Sequence, residues 1–320
     1  MNASKKAELF FTAIVTCHYE EKSVEQFHGR LKVILESIGR PYEIVIINDG
    51  STDGTWERVK DIFNKDPNVR VIVDFAKNAG QFAAIAAGIC EAQGQAIILM
   101  DSDLQLSPEE LPNLVAEYDK GYDLVTGYRV HRRDALSRII PSRIANYIMR
   151  RASQSKVSDF GCTFKIFRAS ILKAFKPGPH AVFNFVQIIS KISKIKEIPV
   201  SHTPRQYGKS GWTFAKLWLY NMDNILLLLE RPFQYTAFLS FLLAFLLVMH
   251  VSISFVFSGY KLLNEVTNGL ILNAVAFSLA ILSGILSLSG ELILRSYRRS
   301  LSLPLYIIRE RHEKAEKETE

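Results

Sequence analysis

From Phe233 to Phe257 the chain holds no Asp, Glu, Lys or Arg, and only Gln234 and His250 are strongly polar. At 1.5 Å per residue such a run is about 37 Å long, enough to cross the roughly 30 Å hydrocarbon core of a bilayer. A second uncharged run goes from Leu270 to Gly290, with Ser and Gly scattered through it as membrane helices tolerate. Soluble helices keep a charged face over such lengths. The two runs therefore predict membrane helices over about 233–257 and 270–294. Arg231 precedes the first; Arg295, Arg298 and Arg299 follow the second; the connecting loop carries Lys261 with Glu265 close by. That asymmetry predicts a hairpin with both chain ends on the cytoplasmic side of a cell membrane. His250 reads either as a functional group or as a histidine packed between helices or near the far interface. Glu291, beside the basic cluster, reads as interfacial.

The net charge of +7 favours anionic partners, whether nucleotide, anionic lipid or nucleic acid, and is equally compatible with a solvated surface. The membrane hairpin argues against nucleic acid. Cys17, Cys90 and Cys162 are scattered, without metal-ligand spacing, which suits a reducing compartment. Leu9 to Val15 reads as a core strand rather than a signal peptide. Two segments read as amphipathic helices lying on a membrane: 212–229, and 135–152 amid Arg129, Arg132, Arg133, Arg138, Arg143, Arg150, Arg151 and Lys156. The basic cluster suits either a lipid phosphate or solvent.

Ahead of the hairpin, short apolar runs alternate with helical patterns. Strands are predicted at 10–15, 43–47, 69–73 and 96–100, and helices at 24–38, 55–63, 80–91 and 108–118, the last with Ser107 as N-cap and Pro108 in its first turn. Alternation of this kind implies an α/β fold with a mostly parallel sheet covered on both faces. Ligands then bind beyond the carboxyl ends of the strands. Two polar clusters fall there. Asn48-Asp49-Gly50-Ser51-Thr52-Asp53-Gly54-Thr55 follows the EIVII strand; it suits a base or ribose and also suits an ordinary Asx- and Gly-rich turn. Asp101-Ser102-Asp103 follows AIILM. Two carboxylates at a strand end can share one divalent cation that bridges phosphates, with Gln105 as a further oxygen ligand. Oxygen ligands point to Mg2+ or Mn2+ rather than Zn2+.

Six stretches in order carry a resemblance: IINDGSTDGT, AKNAGQFAAIAAGI, MDSDLQLSPEE, SDFGCTFKIFR, EIPVSHTPRQYGKSGWTF and GELILRSYRRS. With the terminal spans they resemble the family 2 glycosyltransferases of the GT-A fold. More closely they resemble the polyprenyl-phosphate glycosyltransferases, which include dolichyl-phosphate mannose synthase, and within that group they are most similar to the bacterial undecaprenyl-phosphate enzymes that transfer an aminoarabinose derivative or glucose. The resemblance runs from about Ala13 to Arg299. It implies a Rossmann-like nucleotide-sugar-binding domain over 1–210, an interfacial helix over 211–231, the two spans within 232–295, and a cytoplasmic tail over 296–320; the polar residues from Arg309 to Glu320 themselves read as a solvated, mobile tail. It implies transfer from a nucleotide sugar, UDP-linked in the nearest relatives, to a polyprenyl phosphate, with inversion, by a metal-dependent enzyme that forms homo-tetramers.

Carried over by position, Glu20, Asp49, Asn78, Asp101 and Ser102 would bind the nucleotide sugar. Asp101, Asp103 and Gln105 would hold the metal. Asp159 would lie near the attacking phosphate, and Arg205 would bind a substrate phosphate, both with Asp103 in the catalytic group. Arg129, Arg143, Arg205 and Ser210 would bind the lipid phosphate. The chain departs from the family's Pro-x-Tyr-Asn-Glu start, reading Thr16-Cys17-His18-Tyr19-Glu20 and keeping only Glu20. Where relatives have Ser-Lys-Tyr, it has Ser210-Gly211-Trp212, with Lys209 one place earlier. Processive polysaccharide synthases carry a Gln-x-x-Arg-Trp motif and further spans, both missing from this sequence. A degenerate membrane scaffold or flippase partner would not be expected to retain Asp101, Asp103, Asp159 and Arg205 together.

Overall fold

A computed structural model of the chain describes residues 9–130, 146–204 and 303–314, apart from 148, 152, 181 and 182, and a set of helical positions between 242 and 297 that is continuous from 281 to 294. The chain divides into two compact units, Met1–Leu228 with Pro304–Glu320, and Leu229–Leu303.

The first unit is built on a sheet whose strands are β1 (Phe11–Cys17), β2 (Tyr42–Asn48), β3 (Val69–Phe75), β4 (Ala96–Asp101), β5 (Leu124–Val130), β6 (Lys165–Arg168), β7 (Ile195–Ser201) and β8 (Ile308–Glu313). Their spatial order is β7-β5-β6-β4-β1-β2-β3-β8. The β3, β2, β1 and β4 block is parallel, as the β–α alternation predicts. β5 and β7 are also parallel, whereas β6 runs antiparallel to both β4 and β5, and β8 antiparallel to β3. The central strands are buried along almost their whole length, which is why EIVII and AIILM read as continuous apolar runs rather than alternating ones.

Both faces of the sheet are covered. On one lie α1 (Val24–Ile38), α2 (Thr55–Lys65) and α4 (Leu111–Tyr118), the last entered through a 3-10 turn at Pro108–Glu110. Phe27, Leu31 and Leu35 recur every four residues of α1 and meet Trp56, Val59 and Ile62 of α2 in one cluster with the strands. Each such side chain contributes about 1.5–3 kcal/mol on burial. α1 stops at Gly39, whose φ of 71° is the left-handed closure that favours glycine. On the opposite face, α3 (Gln81–Glu91) is rich in alanine and packs close: a Cβ on Gly88 would lie 2.4 Å from Ile14 Cγ2. Short helices α5 (Ala169–Ala174) and α6 (Phe185–Ile189) complete that face.

Two expectations change in this unit. The predicted N-cap hydroxyl of Ser107 makes no capping bond; it donates to Glu109 and accepts from Arg30. Of the residues expected to trail as a mobile tail from Arg309, those up to Glu313 instead lie in β8, paired to β3 from Val71 to Phe75, while 315–320 lie outside the described residues. Tyr306 stacks on Phe75 with ring centroids 4.6 Å apart, and Arg311 forks onto Glu91.

In the second unit, Phe277–Leu294 forms a helix long and apolar enough to cross a membrane, with Glu291 as its single charged residue and no part of it buried. Of the first expected span, positions 242, 245, 246, 249, 252 and 253 are helical and exposed. The remaining residues of that span lie outside the described residues, so one member of the expected hairpin is described as a helix of full length. Of the two expected surface helices, 212–229 lies outside the described residues and 135–152 is described, as helix, only at 146, 147 and 149–151.

Candidate active site

The register of the parallel block brings three strand ends level. Thr16 lies beside Asp101, and Cys17 beside Asn48. The polar residues just past β1, β2 and β4 therefore share one edge of the sheet, where the sequence placed its two clusters.

Asp101 closes β4 and is held from three sides. Thr16 Oγ1 donates to Oδ1 at 2.7 Å, Gln81 Nε2 donates to Oδ1 at 2.7 Å and Oδ2 at 2.8 Å, and Thr163 Oγ1 donates to Oδ2 at 2.7 Å. Burial, and then the charge of Asp103, push its carboxyl up from the usual range, against these donors. Asp103 is buried, and its Oδ1 accepts the Gln105 backbone N–H at 3.1 Å. Between them Leu104 adopts a φ of 59°, a left-handed kink that folds the chain back after Asp103. Two carboxylates that repel each other at a strand end, with the Thr16 and Thr163 hydroxyl oxygens beside Asp101, form an oxygen donor set suited to a divalent cation such as Mg2+ or Mn2+. The Ser102 hydroxyl is fully buried and donates to the Thr16 carbonyl oxygen at 3.1 Å, locking β4 to β1. Thr203 donates through its N–H to the Gln105 carbonyl at 3.0 Å and through its hydroxyl to that of Leu104 at 3.0 Å. The chain thus reaches residue 204 beside the Asp103 turn. Arg205 and Ser210 lie outside the described residues, as does Arg143.

At the end of β2, Asp49 ties two turns together. Its carboxylate accepts the N–H groups of Ala79 at 2.7 Å and Gly80 at 3.0 Å and the Asn78 side-chain amide at 2.9 Å. Burial raises its carboxyl, and the Ala79 N–H, His18 and the Gly80 N–H work the other way. Asn78 also meets the His18 ring at 3.1 Å. Gly50 is required here: its φ is 63°, and a Cβ would stand 2.4 Å from the Asn78 backbone nitrogen. Past β1, Tyr19 has a φ of 58°, rare for a bulky residue. Ser51 Oγ accepts its N–H at 3.0 Å, and its phenol pairs with Thr52 at 3.1 Å. The His18 and Tyr19 rings lie with centroids 4.4 Å apart, two aromatic faces at the rim of the site. Glu20 is buried and accepts from Ser23, while its own N–H donates to Thr55 Oγ1 at 2.9 Å.

Arg129 and Asp159, assigned by sequence to lipid phosphate and catalysis, bind each other. Arg129 Nε and Nη2 each reach an Asp159 oxygen at 2.8 Å, and the Arg129 N–H adds a third bond at 3.3 Å. Glycine at 161 leaves the fork room: a Cβ there would lie 3.0 Å from Arg129 Nη2. Glu197 of β7 accepts the N–H of Ser158 at 2.8 Å and of Asp159 at 3.2 Å. Sequence reasoning passed over Gln81, Thr163 and Glu197. All three fall within quoted stretches, but Gln81 and Thr163 carry no charge, and Glu197 reaches the site only through the pairing of its distant strand.

Residues 12–175 match the family model described as Glycosyl transferase family 2. The undecaprenyl-phosphate 4-deoxy-4-formamido-L-arabinose transferase of Edwardsiella ictaluri (strain 93-146) is 32% identical over 249 residues, covering 75% of this chain and 76% of that one. Glucosyl-3-phosphoglycerate synthase of Mycobacterium tuberculosis, solved with Mn2+ and UDP-glucose, shares the fold at 16% identity with a TM-score of 0.52, over 70% of this chain and 79% of that one. The strand order, the aligned acidic strand ends and a family match that runs from β1 into α5 lead to one assignment: this chain belongs to glycosyl transferase family 2 and is a glycosyltransferase.

Proposed function

We propose that the protein transfers a sugar from a nucleoside diphosphate, UDP by preference, to the phosphate of a polyprenyl lipid, undecaprenyl phosphate in a bacterium, at the cytoplasmic face of the membrane. The observation that carries this reading is the Asp101–Asp103 pair, held by Thr16, Gln81 and Thr163 on a strand end within one chain with a membrane-length apolar helix. The likeness to the Edwardsiella lipid-phosphate transferase supports the acceptor class.

In this mechanism Asp49, Asn78, Glu20 and the backbone at Ser102 shape the donor pocket. Asp101 and Asp103, with Gln105, would hold Mg2+ or Mn2+, which supplies positive charge for the departing diphosphate. Arg205 adds charge to the same group or to the acceptor. A lipid-phosphate oxygen attacks the anomeric carbon as the bond from that carbon to the diphosphate oxygen breaks, so the anomeric centre inverts. A phosphate is already largely anionic near neutral pH, so little general-base help is needed. Asp159, gripped by Arg129, then acts chiefly to orient the acceptor and keep the guanidinium aimed. Arg129, Arg143 and Ser210 complete the lipid-phosphate side. The assembly is proposed to be a homo-oligomer.

The test is sugar transfer by purified protein in detergent, with undecaprenyl phosphate, Mn2+ or Mg2+, and radiolabelled UDP- and GDP-sugars. A lipid-linked product from one donor, lost at least about 100-fold in Asp103→Ala, is the expected result. Wild-type rate in that variant would remove Asp103 from metal binding. Lack of product from every donor, together with lack of metal-dependent nucleotide binding, would favour a scaffold.

A further inference from the structure

The edge strand β8 meets β3 with a break in register. Asp74 stands opposite Glu310 and Phe75 opposite Ile308, so Arg309 is the extra residue of a bulge. Bulges re-aim a side chain. Here Arg309 Nε reaches Asp74 Oδ2 at 2.6 Å, and Nη2 reaches the same oxygen at 2.5 Å. Asp74 is fully buried, and its other oxygen accepts the Asn48 side-chain amide at 2.7 Å. Asn48 Oδ1 accepts from Ser51 Oγ at 2.6 Å, and Ser51 Oγ accepts the Tyr19 N–H at 3.0 Å. One continuous chain of bonds therefore runs from the last strand of the protein to the left-handed turn at Tyr19, beside the Asp49 and Asn78 carboxylate knot.

We propose that Arg309 is a positioning residue for the donor nucleotide, acting through Asp74, Asn48 and Ser51 on the Tyr19 turn. This rests on the reading of the β1 and β2 strand ends as the donor pocket. The chemistry is specific. A buried carboxylate deprived of its cation takes a proton or draws in water. Either change alters the acceptor that orients the Asn48 amide, and with it Ser51, whose hydroxyl holds a residue in a sparsely populated conformation. The nearby Arg311 supplies a matched control: it lies on the same strand and pairs with Glu91 and Glu313, outside this chain of bonds.

The experiment compares full-length wild type, Arg309→Ala, Arg309→Lys, Arg311→Ala and Ser51→Ala, by calorimetric titration with UDP and Mn2+ and by donor KM and kcat. Arg309→Ala is expected to raise the UDP Kd and donor KM about tenfold while kcat stays within about twofold. Arg309→Lys restores part of the affinity, because it keeps the charge but loses the planar fork. Ser51→Ala reproduces the Kd change without touching β8, which keeps the test open if Arg309→Ala does not fold. Arg311→Ala lowers thermal stability and leaves Kd unchanged. Equal Kd changes in Arg309→Ala and Arg311→Ala, or wild-type Kd in folded Arg309→Ala, overturn the proposal, and where Arg309→Ala does not fold wild-type Kd in Ser51→Ala does so. If wild-type protein binds no nucleotide, the donor-pocket reading fails instead. Hydrogen exchange over residues 16–23 then decides the coupling, which predicts faster exchange in Arg309→Ala than in Arg311→Ala and is overturned by equal rates.

Discussion

Arg129 and Asp159 show how a single pairing redirects a residue's role. As an isolated basic side chain Arg129 suits any phosphate; in the fold its Nε and Nη2 both donate to Asp159, and both side chains are mostly buried. Truncating one member of such a pair strands the other, at a cost of about 3 kcal/mol. Arg129→Ala is therefore expected to lose about that much stability in a denaturant titration and to lower turnover at least about 100-fold through misplacement of Asp159. Arg129→Lys should recover little, since an ammonium cannot reproduce two parallel bonds. At Gly50 the constraint is steric: a methyl group meets the Asn78 backbone at 2.4 Å in a turn with φ of 63°. Gly50→Ala is expected to cost about 2–3 kcal/mol and to weaken nucleotide binding, measured by thermal melting with and without UDP. An unchanged melting temperature would mean that the two turns do not pack as described.

At the scale of elements, β6 carries an anomaly. Lys165 is fully buried between β4 and β5, its Nζ finds no hydrogen-bond partner among the described residues, and it stands over the Phe185 ring at 5.1 Å from the centroid. Burial pulls its amine below the usual lysine range, with Cys162 and Asp159 opposing. A folded-state value below the unfolded one means that the folded protein binds fewer protons, so the stability linked to this group is complete above about 10.5 and is lost as pH falls toward the folded value. Lys165→Met should therefore stabilise the protein by about 1–3 kcal/mol at pH 7. Its advantage over wild type should shrink in melts at pH 9.5. An advantage that grew with pH would show a charged, paired lysine instead. At α3 the relevant contacts are backbone ones: Asp49 accepts the N–H groups of Ala79 and Gly80 just ahead of the helix. Asp49→Ala is expected to cost about 1–2 kcal/mol of stability before any effect on the donor is counted.

For the molecule as a whole, β8 closes an edge. Without it, β3 would present an unpaired and almost wholly buried apolar strand, VRVIVDF, to solvent. Truncation after Leu303 removes the Tyr306 stack, the Arg309 and Arg311 pairs and the whole ladder. A fall in melting temperature of at least about 10 °C is expected. Light scattering should show aggregation of the truncated protein. A truncated protein that melts like wild type would make β8 dispensable for the fold.

What the sequence determined by itself follows from local periodicity and composition. Buried parallel strands are apolar on both faces, so EIVII and AIILM announce themselves; α1 repeats its apolar residues along one stripe; an uncharged run of membrane length has few other uses. The acids after β2 and β4 were legible because a polar cluster after a buried strand must fall at a sheet edge. Tertiary structure alone decided the rest. Strand pairing across the chain is non-local, so the charged stretch IRERHE gives no periodic sign that it will join β3, and the one-residue slip that aims Arg309 at Asp74 exists only in the ladder. In the same way Arg129 acquires its partner, and Lys165 its burial, from neighbours brought together by the sheet order β7-β5-β6-β4, in which strands distant along the chain become adjacent in space.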